Sequence, residues 1–325
     1  TVSNNFAVTD VDLKDVQTVS AVAKGSNYLG TFTPSVDTNT TNTGSGKIAW
    51  DFKVADSAVD YLAKGEVLTQ TYTVTVNDGQ GGTDSHDVVI TLTGTEDAPV
   101  IGASTFTGNV TEIADKALGE NTYDLTVSNN FAVTDVDLKD VQTVSAVAKG
   151  SNYLGTFTPS VDTNTTNTGS GKIAWDFKVA DSAVDYLAKG EVLTQTYTVT
   201  VNDGQGGTDS HDVVITLTGT EDAPVIGAST FTGNVTEIAD KALGENTYDL
   251  TVSNNFAVTD VDLKDVQTVS AVAKGSNYLG TFTPSVDTNT TNTGSGKIAW
   301  DFKVADSAVD YLAKVKYSLK PIPSP

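Results

Sequence analysis

YTVTVNDGQGGTDSHDVVITLT, residues 72–93, decides how this chain folds. Tyr72, Val74 and Val76 alternate with threonines, so one face of the segment is apolar and the other hydroxylated, which is the period of a half-buried strand. Val88, Ile90 and Leu92 repeat the pattern over residues 86–93. Between the two runs, NDGQGGTD (77–84) concentrates residues that tolerate left-handed backbone and Asx turns, and this predicts a hairpin. Upstream, KIAWDFKV (47–54) directs Ile48, Trp50, Phe52 and Val54 inward and Lys47, Asp51 and Lys53 outward. Residues 16–23, 28–36 and 123–133 are also β-rich, with Gly or Asn punctuation. Only SAVDYLAK (57–64) is expected to be helical, for a turn or two, ended by Gly65. Some seven short strands in roughly 100 residues predict an all-β protein built of Greek-key β-sandwiches.

The prediction holds for more than one domain, because residues 1–125 recur unchanged as 126–250 and a third copy runs from 251 to 314. A period of 125 residues is the size of an ordinary domain, so each unit can bury a core of its own. GTEDAPV (94–100) follows the hairpin and contains Pro99, which cannot donate to a ladder, and this places a boundary there. The expected division is 1–97, a sandwich without its first strand; 98–222, a complete sandwich; 223–314, a sandwich without its final hairpin; and 315–325, an unrelated tail. VKYSLKPIPSP matches nothing in the other copies and reads as a truncation, an engineering scar or a frame error. With no Met, the sequence reads as a fragment.

The chain carries a net charge of −22, and all 19 of its basic residues are Lys. Each repeat has 17 acidic and 6 basic residues, a net charge of −11. No basic patch exists to meet phosphate, so nucleic acid is excluded as a partner, while divalent cations are favoured as counter-ions. No apolar run is long enough to span a membrane. The absence of Cys removes disulfides and thiolate metal sites.

In order along the repeat, the hairpin and linker YTVTVNDGQGGTDSHDVVITLTGTEDAPVI (72–101) resemble the VCBS repeats of bacterial RTX-type adhesins, which are cadherin-like. NVTE (109–112) is similar to the cadherin opening segment with its calcium-binding Glu. TDVD (134–137) resembles the Asp-x-Asp element, and LAKGE (187–191) the Leu-Asp-Arg-Glu segment, of which it retains only the Glu. NDG (202–204) resembles the penultimate-strand Asp, and TEDAP (220–224) the interdomain linker, here shorter and without its two Asn. The resemblance implies calcium, a secreted or cell-surface location, and a role in adhesion and biofilm formation.

Calcium takes six to eight oxygens, which must converge from several segments. At the first joint the candidate ligands are Glu66 from the upstream unit, Glu96 and Asp97 from the linker, and Asp135, Asp137 and Asp203 from the downstream unit. At the second they are Glu112 and Glu191, Glu221 and Asp222, and Asp260 and Asp262. Uncompensated, so many carboxylates repel. Calcium at the joints would turn hinged beads into a stiff rod, with neighbouring repeats as each unit's partners. Asp135, Asp137 and Asp140 could equally be plain Asx-turn residues.

Ser85-His86-Asp87 has the residue types of a triad, but neighbours on a strand point to opposite faces. GQGG (79–82) lacks the Lys-Ser/Thr of a phosphate loop. The chain is therefore expected to be no enzyme and to act as an extender in a surface adhesin. Two alternatives stay open: a multivalent carbohydrate-binding array meeting cell-surface or matrix glycans, and accessory repeats of a secreted enzyme.

Overall fold

A computed structural model describes residues 1–103, 106–227 and 231–312; the tail 315–325 lies outside the described residues. The first unit contains β1 (Val2–Thr9), β2 (Thr18–Ala23), β3 (Thr31–Thr38), β4 (Ser45–Lys53), β5 (Val67–Asn77) and β6 (Thr83–Thr93). The middle unit contains β7 (Val100–Ile101), β8 (Thr107–Thr111), β9 (Asp124–Thr134), β10 (Thr143–Ala148), β11 (Thr156–Thr163), β12 (Ser170–Ala180), β13 (Val192–Asn202) and β14 (Thr208–Thr218). The third contains β15 (Val225–Ile226), β16 (Asp249–Thr259), β17 (Thr281–Thr288) and β18 (Ser295–Ala305).

In the middle unit two four-stranded sheets, ordered β7-β9-β12-β11 and β10-β13-β14-β8, face each other. The chain changes sheet between β9 and β10, again before β11, and again before β13, which is a Greek-key sandwich. All pairings are antiparallel except β14 with β8. The hairpin predicted over 72–93 is β5 and β6, with Tyr72 opposite Val88 and Asn77 opposite Thr83.

Alternation along these strands makes the core. Phe131, Val133, Ile173, Trp175 and Phe177 from one sheet meet Tyr197, Val199, Val201, Val213, Ile215 and Leu217 from the other, all buried. Phe157 stacks between them, 5.5 Å from Trp175 and 4.5 Å from Tyr197. Each such side chain contributes about 1.5–3 kcal/mol by leaving water. Gln195 lies among these apolar residues, fully buried, because it holds the backbone of Leu154 at both ends: Leu154 N–H donates to Oε1 at 2.5 Å and Nε2 donates to Leu154 O at 3.0 Å.

The helix expected over 57–64 is a single 3-10 turn, Asp56–Ala58, repeated as Asp181–Ala183 and Asp306–Ala308. A segment this short cannot repay helix nucleation. In the middle unit Val184 and Leu187, just after the turn, are buried in the core. The outer units are thinner. The first pairs β1-β4-β3 with β2-β5-β6, and the described residues of the third form one sheet, β15-β16-β18-β17. Residues 268–273, which repeat the sequence of β2 and β10, form no strand. In the other units that strand pairs with the first strand of the hairpin, β13 or β5.

Candidate metal centres at the joints

At the first joint, the DVDLKD loop (135–140) leaves the end of β9 and coils on its own carboxylates. Asp137 N–H donates to Asp135 Oδ1 at 3.0 Å, and Gln142 Nε2 donates to Asp135 Oδ2 at 2.7 Å. Asp135, Asp137 and Asp140 are all buried, at 2%, 0% and 2% exposure. Across from them the turn after β13 wraps Asp203. Its Oδ1 accepts the N–H groups of Gln205, Gly206 and Gly207 at 2.7, 3.0 and 3.1 Å. That turn needs the left-handed Gly204 and Gly206, with φ of 86° and 124°.

The linker closes over this cradle. Asp97 N–H donates to Asp137 Oδ2 at 2.9 Å, and Glu96 Oε1 accepts Gly207 N–H at 3.0 Å. Oxygens of Glu96, Asp140 and Asp203 lie within 4.8 Å of one another. Glu96 Oε2, Asp137 Oδ1, Asp140 Oδ2 and Asp203 Oδ2 are buried with no hydrogen-bond partner among the described residues. A buried carboxylate oxygen left bare is costly, and four at one seam need a cation or protons.

The second joint repeats the clamp. Asp222 N–H donates to Asp262 Oδ2 at 2.9 Å, Asp262 N–H to Asp260 Oδ1 at 3.1 Å, and Gln267 Nε2 to Asp260 Oδ2 at 2.6 Å. Here the upstream side is also present. Glu112 is buried, its Oε2 accepting Thr220 N–H at 2.7 Å while Oε1 has no partner. Asp115, Glu120 and Asp222 bring oxygens within 4.8 Å on that side, and Glu221, Asp262 and Asp265 do so on the other. Because the two joints have the same sequence, they are partial views of one design, with an acidic group on each side of the linker. In the first unit the equivalents of Asp135, Asp140 and Asp203, which are Asp10, Asp15 and Asp78, also bring oxygens within 4.8 Å of one another.

The candidate ligands divide accordingly. Glu96, Asp203 and Asp137 converge at the first joint, with Asp135 held behind them by Gln142 and Asp97 offering its main-chain N–H to Asp137. Glu112, Glu221, Asp222 and Asp262 converge at the second, with Asp260 behind. Glu66 and Glu191 are engaged elsewhere. Each forms an ion pair across its joint, with Lys139 and Lys264, both at 2.5 Å. Asp140 and Asp265, and Asp115 and Glu120, were not among the candidates. Asp140 is legible as the third acid of a D-x-D-x-x-D run, a spacing that also suits a turn. Asp115 and Glu120 lie in a loop that resembles no ligand segment.

Electrostatics records the strain. Burial, with the adjacent Asp203, pushes Glu96 up to about 7. Burial, then Asp137, Asp135 and Asp203, pushes Asp140 to about 6. At the second joint, burial and the nearby Asp222 and Asp185 take Glu112 to about 8, outweighing the Thr220 N–H. Burial also takes Asp222 and Asp262 to about 6. Asp203 moves the other way: burial would raise it, but three amide N–H groups and the facing Glu96 hold it below the usual range. The donors are hard carboxylate oxygens with no nitrogen or sulfur, which suits calcium far better than zinc or copper.

The triad-like residues have separate partners. Ser210 pairs with Thr200 at 2.8 Å, Asp212 with Thr198 at 2.9 Å and with Lys149, and the His211 ring packs 4.0 Å from Phe106.

No protein-family model and no curated relative matches the chain. Among solved structures it is similar to the protocadherin gamma B7 extracellular cadherin domains 1–4, at 14% identity and a TM-score of 0.34, with 94% of this chain and 63% of that one covered. Mouse cadherin-23 domains EC22–24 give 13% identity and 0.32, covering 90% and 78%. The CupB6 tip adhesin from Pseudomonas aeruginosa gives 8% identity and 0.32, covering 67% and 90%. At these identities and scores the fold stands on the strand pairing itself: tandem all-β sandwiches. No helix among the described residues is long and apolar enough to cross a membrane.

Proposed function

We propose that this chain is a calcium-stiffened extender from a secreted or surface-bound bacterial adhesin, of the kind built from VCBS repeats. One observation carries the reading: at the first joint buried carboxylates of the linker and the downstream unit face one another with bare oxygens, and at the second joint acids of the upstream unit join the linker as well. A divalent ion bound there would be held by Glu96, Asp137, Asp140 and Asp203 at one joint. The same ion chemistry at the other would involve Glu112, Asp115, Glu120 and Asp222 on one side and Glu221, Asp262 and Asp265 on the other. Calcium would supply charge neutralisation and a fixed angle between units, and no reaction. The residues themselves set the seam: Leu138 N–H donates to Tyr61 O and Leu263 N–H to Tyr186 O, both at 3.3 Å. Lys64 Nζ reaches Gln205 O across the first seam at 2.8 Å.

Small-angle scattering of the whole chain tests this. In millimolar calcium, the range of extracellular modules, the maximum dimension should lengthen and the flexibility fall relative to chelator. Identical curves would remove calcium stiffening from the reading. A glycan screen under both conditions is expected to be blank.

A further inference from the structure

Against the acidic loop 135–140 lies a second loop, NTTNTG (164–169) between β11 and β12, to which the cation reading gives no role. It grips the acidic loop along the main chain. Asp135 N–H donates to Gly169 O at 3.1 Å, Asn167 N–H to Leu138 O at 2.8 Å, and Thr166 Oγ1 to Asp140 O at 2.7 Å. The same three bonds recur in the first unit between Asp10 and Gly44, Asn42 and Leu13, and Thr41 and Asp15. In the third they join Asp260 to Gly294, Asn292 to Leu263, and Thr291 to Asp265. Asn167 takes a left-handed φ of 65° there, as Asn42 and Asn292 do at 66° and 65°.

One side chain ties this loop to the carboxylates. Gln142 and Thr165 are both buried. Gln142 Oε1 accepts Thr165 N–H at 3.2 Å and Thr165 Oγ1 at 2.5 Å, while its Nε2 holds Asp135 Oδ2. Asp135 Oδ1 in turn takes Asp137 N–H, and Asp137 Oδ2 takes the linker N–H of Asp97. The relay ends on Asp137 Oδ1, which is buried and bare. Both Asp135 oxygens are engaged by the protein, so Asp135 props the site while Asp137 and Asp140 present free oxygens. A neutral amide does this without disturbing the charge: Lys in its place would neutralise Asp135, and Glu would repel it. Gln267 holds Asp260 and Thr290 in the same way, and Gln17 holds Asp10 and the Thr40 N–H.

We propose that the 164–169 loop and its copy at 289–294 are preformed templates for the downstream half of each joint's cation site, with Gln142 and Gln267 as the positioning residues. The inference rests on the calcium reading of the joints and adds that the acids are set in place before an ion arrives. Carboxylates drawn together repel, so a site that had to assemble around its ion would lose affinity to that repulsion and to the ordering of the loop. Bonds from main chain and neutral side chains, the same in all three units, take the ordering cost out of the binding step.

Calorimetric calcium titration of the whole chain tests this, with amide hydrogen exchange in chelator as a second readout. The copies are identical there, so Gln17→Leu, Gln142→Leu and Gln267→Leu are combined in one chain. That variant should bind calcium about tenfold or more weakly, the usual effect of losing a residue that orients a metal ligand. Exchange over residues 135–140 and their copies should be slow in the wild type without calcium and fast in the variant. A purely structural role would lower the melting temperature in chelator and leave the affinity alone. Thr165→Val with Thr290→Val keeps the N–H and loses the hydroxyl, and should weaken binding in the same direction but less; Thr165→Ser with Thr290→Ser should restore it. Should the Gln variant fail to fold, this pair decides, and equal affinity for Val and Ser would overturn the proposal. Wild-type affinity in a folded Gln variant, or fast exchange over 135–140 in the wild type in chelator, would also overturn it while leaving the calcium reading intact. A wild-type chain that takes up no calcium would remove both.

Discussion

Asp140 is buried at the first seam with a bare Oδ2, and burial beside Asp137 and Asp135 raises its pKa to about 6. Two consequences of opposite sign follow for Asp140→Asn. In chelator, removing a charge from a crowded acidic site should raise the melting temperature. In calcium, a lost ligand should weaken ion binding by on the order of tenfold or more, so the variant gains less from the ion than the wild type. Calorimetry in both buffers reads both. A turn residue without a ligand role would show the first change and not the second. Gly108 is constrained differently: a Cβ there would meet Trp175 at 2.7 Å and Ile215 and Val127 at 3.0 Å. Gly108→Ala should cost the middle unit about 1–3 kcal/mol in chemical denaturation, the usual penalty of overpacking.

At the scale of elements, the loops that meet at a joint titrate as a group. Glu96, Glu112, Asp140, Asp222 and Asp262 all have folded-state pKa values raised above their ordinary ones. A raised pKa means that the folded joint binds protons the unfolded chain has released, so its stabilisation is present at acid pH and is lost as pH rises through about 6 to 8. In chelator, the melting temperature should therefore fall from pH 5 to pH 8. Calcium competes with those protons, so its stabilising effect should grow over the same window. A flat profile in chelator would mean that the acids are solvated. Which elements form was written in the sequence far more plainly than which loops meet. Period-two alternation in 72–76 and 86–93 marks β5 and β6 because it depends only on neighbours along the chain. The SAVDYLAK stretch misled because its apolar spacing serves to plug a core, not to continue a helix. Glu66 was a reasonable candidate ligand by position, yet Lys139, 73 residues on, takes it across the seam. Asp115 and Glu120 approach Asp222 only after β8 and β14 pair. No local pattern carries that kind of information.

The three units of the whole molecule share a sequence but not a degree of closure. Phe157 is sandwiched between Trp175 and Tyr197, whereas among the described residues its equivalent Phe282 stacks on Trp300 and is 47% exposed. Hydrogen exchange should therefore be slowest in β12 and β13 and fastest in β15–β18, with limited proteolysis cutting first in the third unit. Equal protection in all three would contradict this. The clasp between units has a mechanical consequence. Traction along the chain loads a handful of seam contacts, Tyr61 with Leu138 and Asp97 with Asp137 among them, before it reaches any ladder inside a sheet. With a cation braced in each seam, an array under tension would give way one knuckle at a time, and ambient calcium would set the force at which it yields.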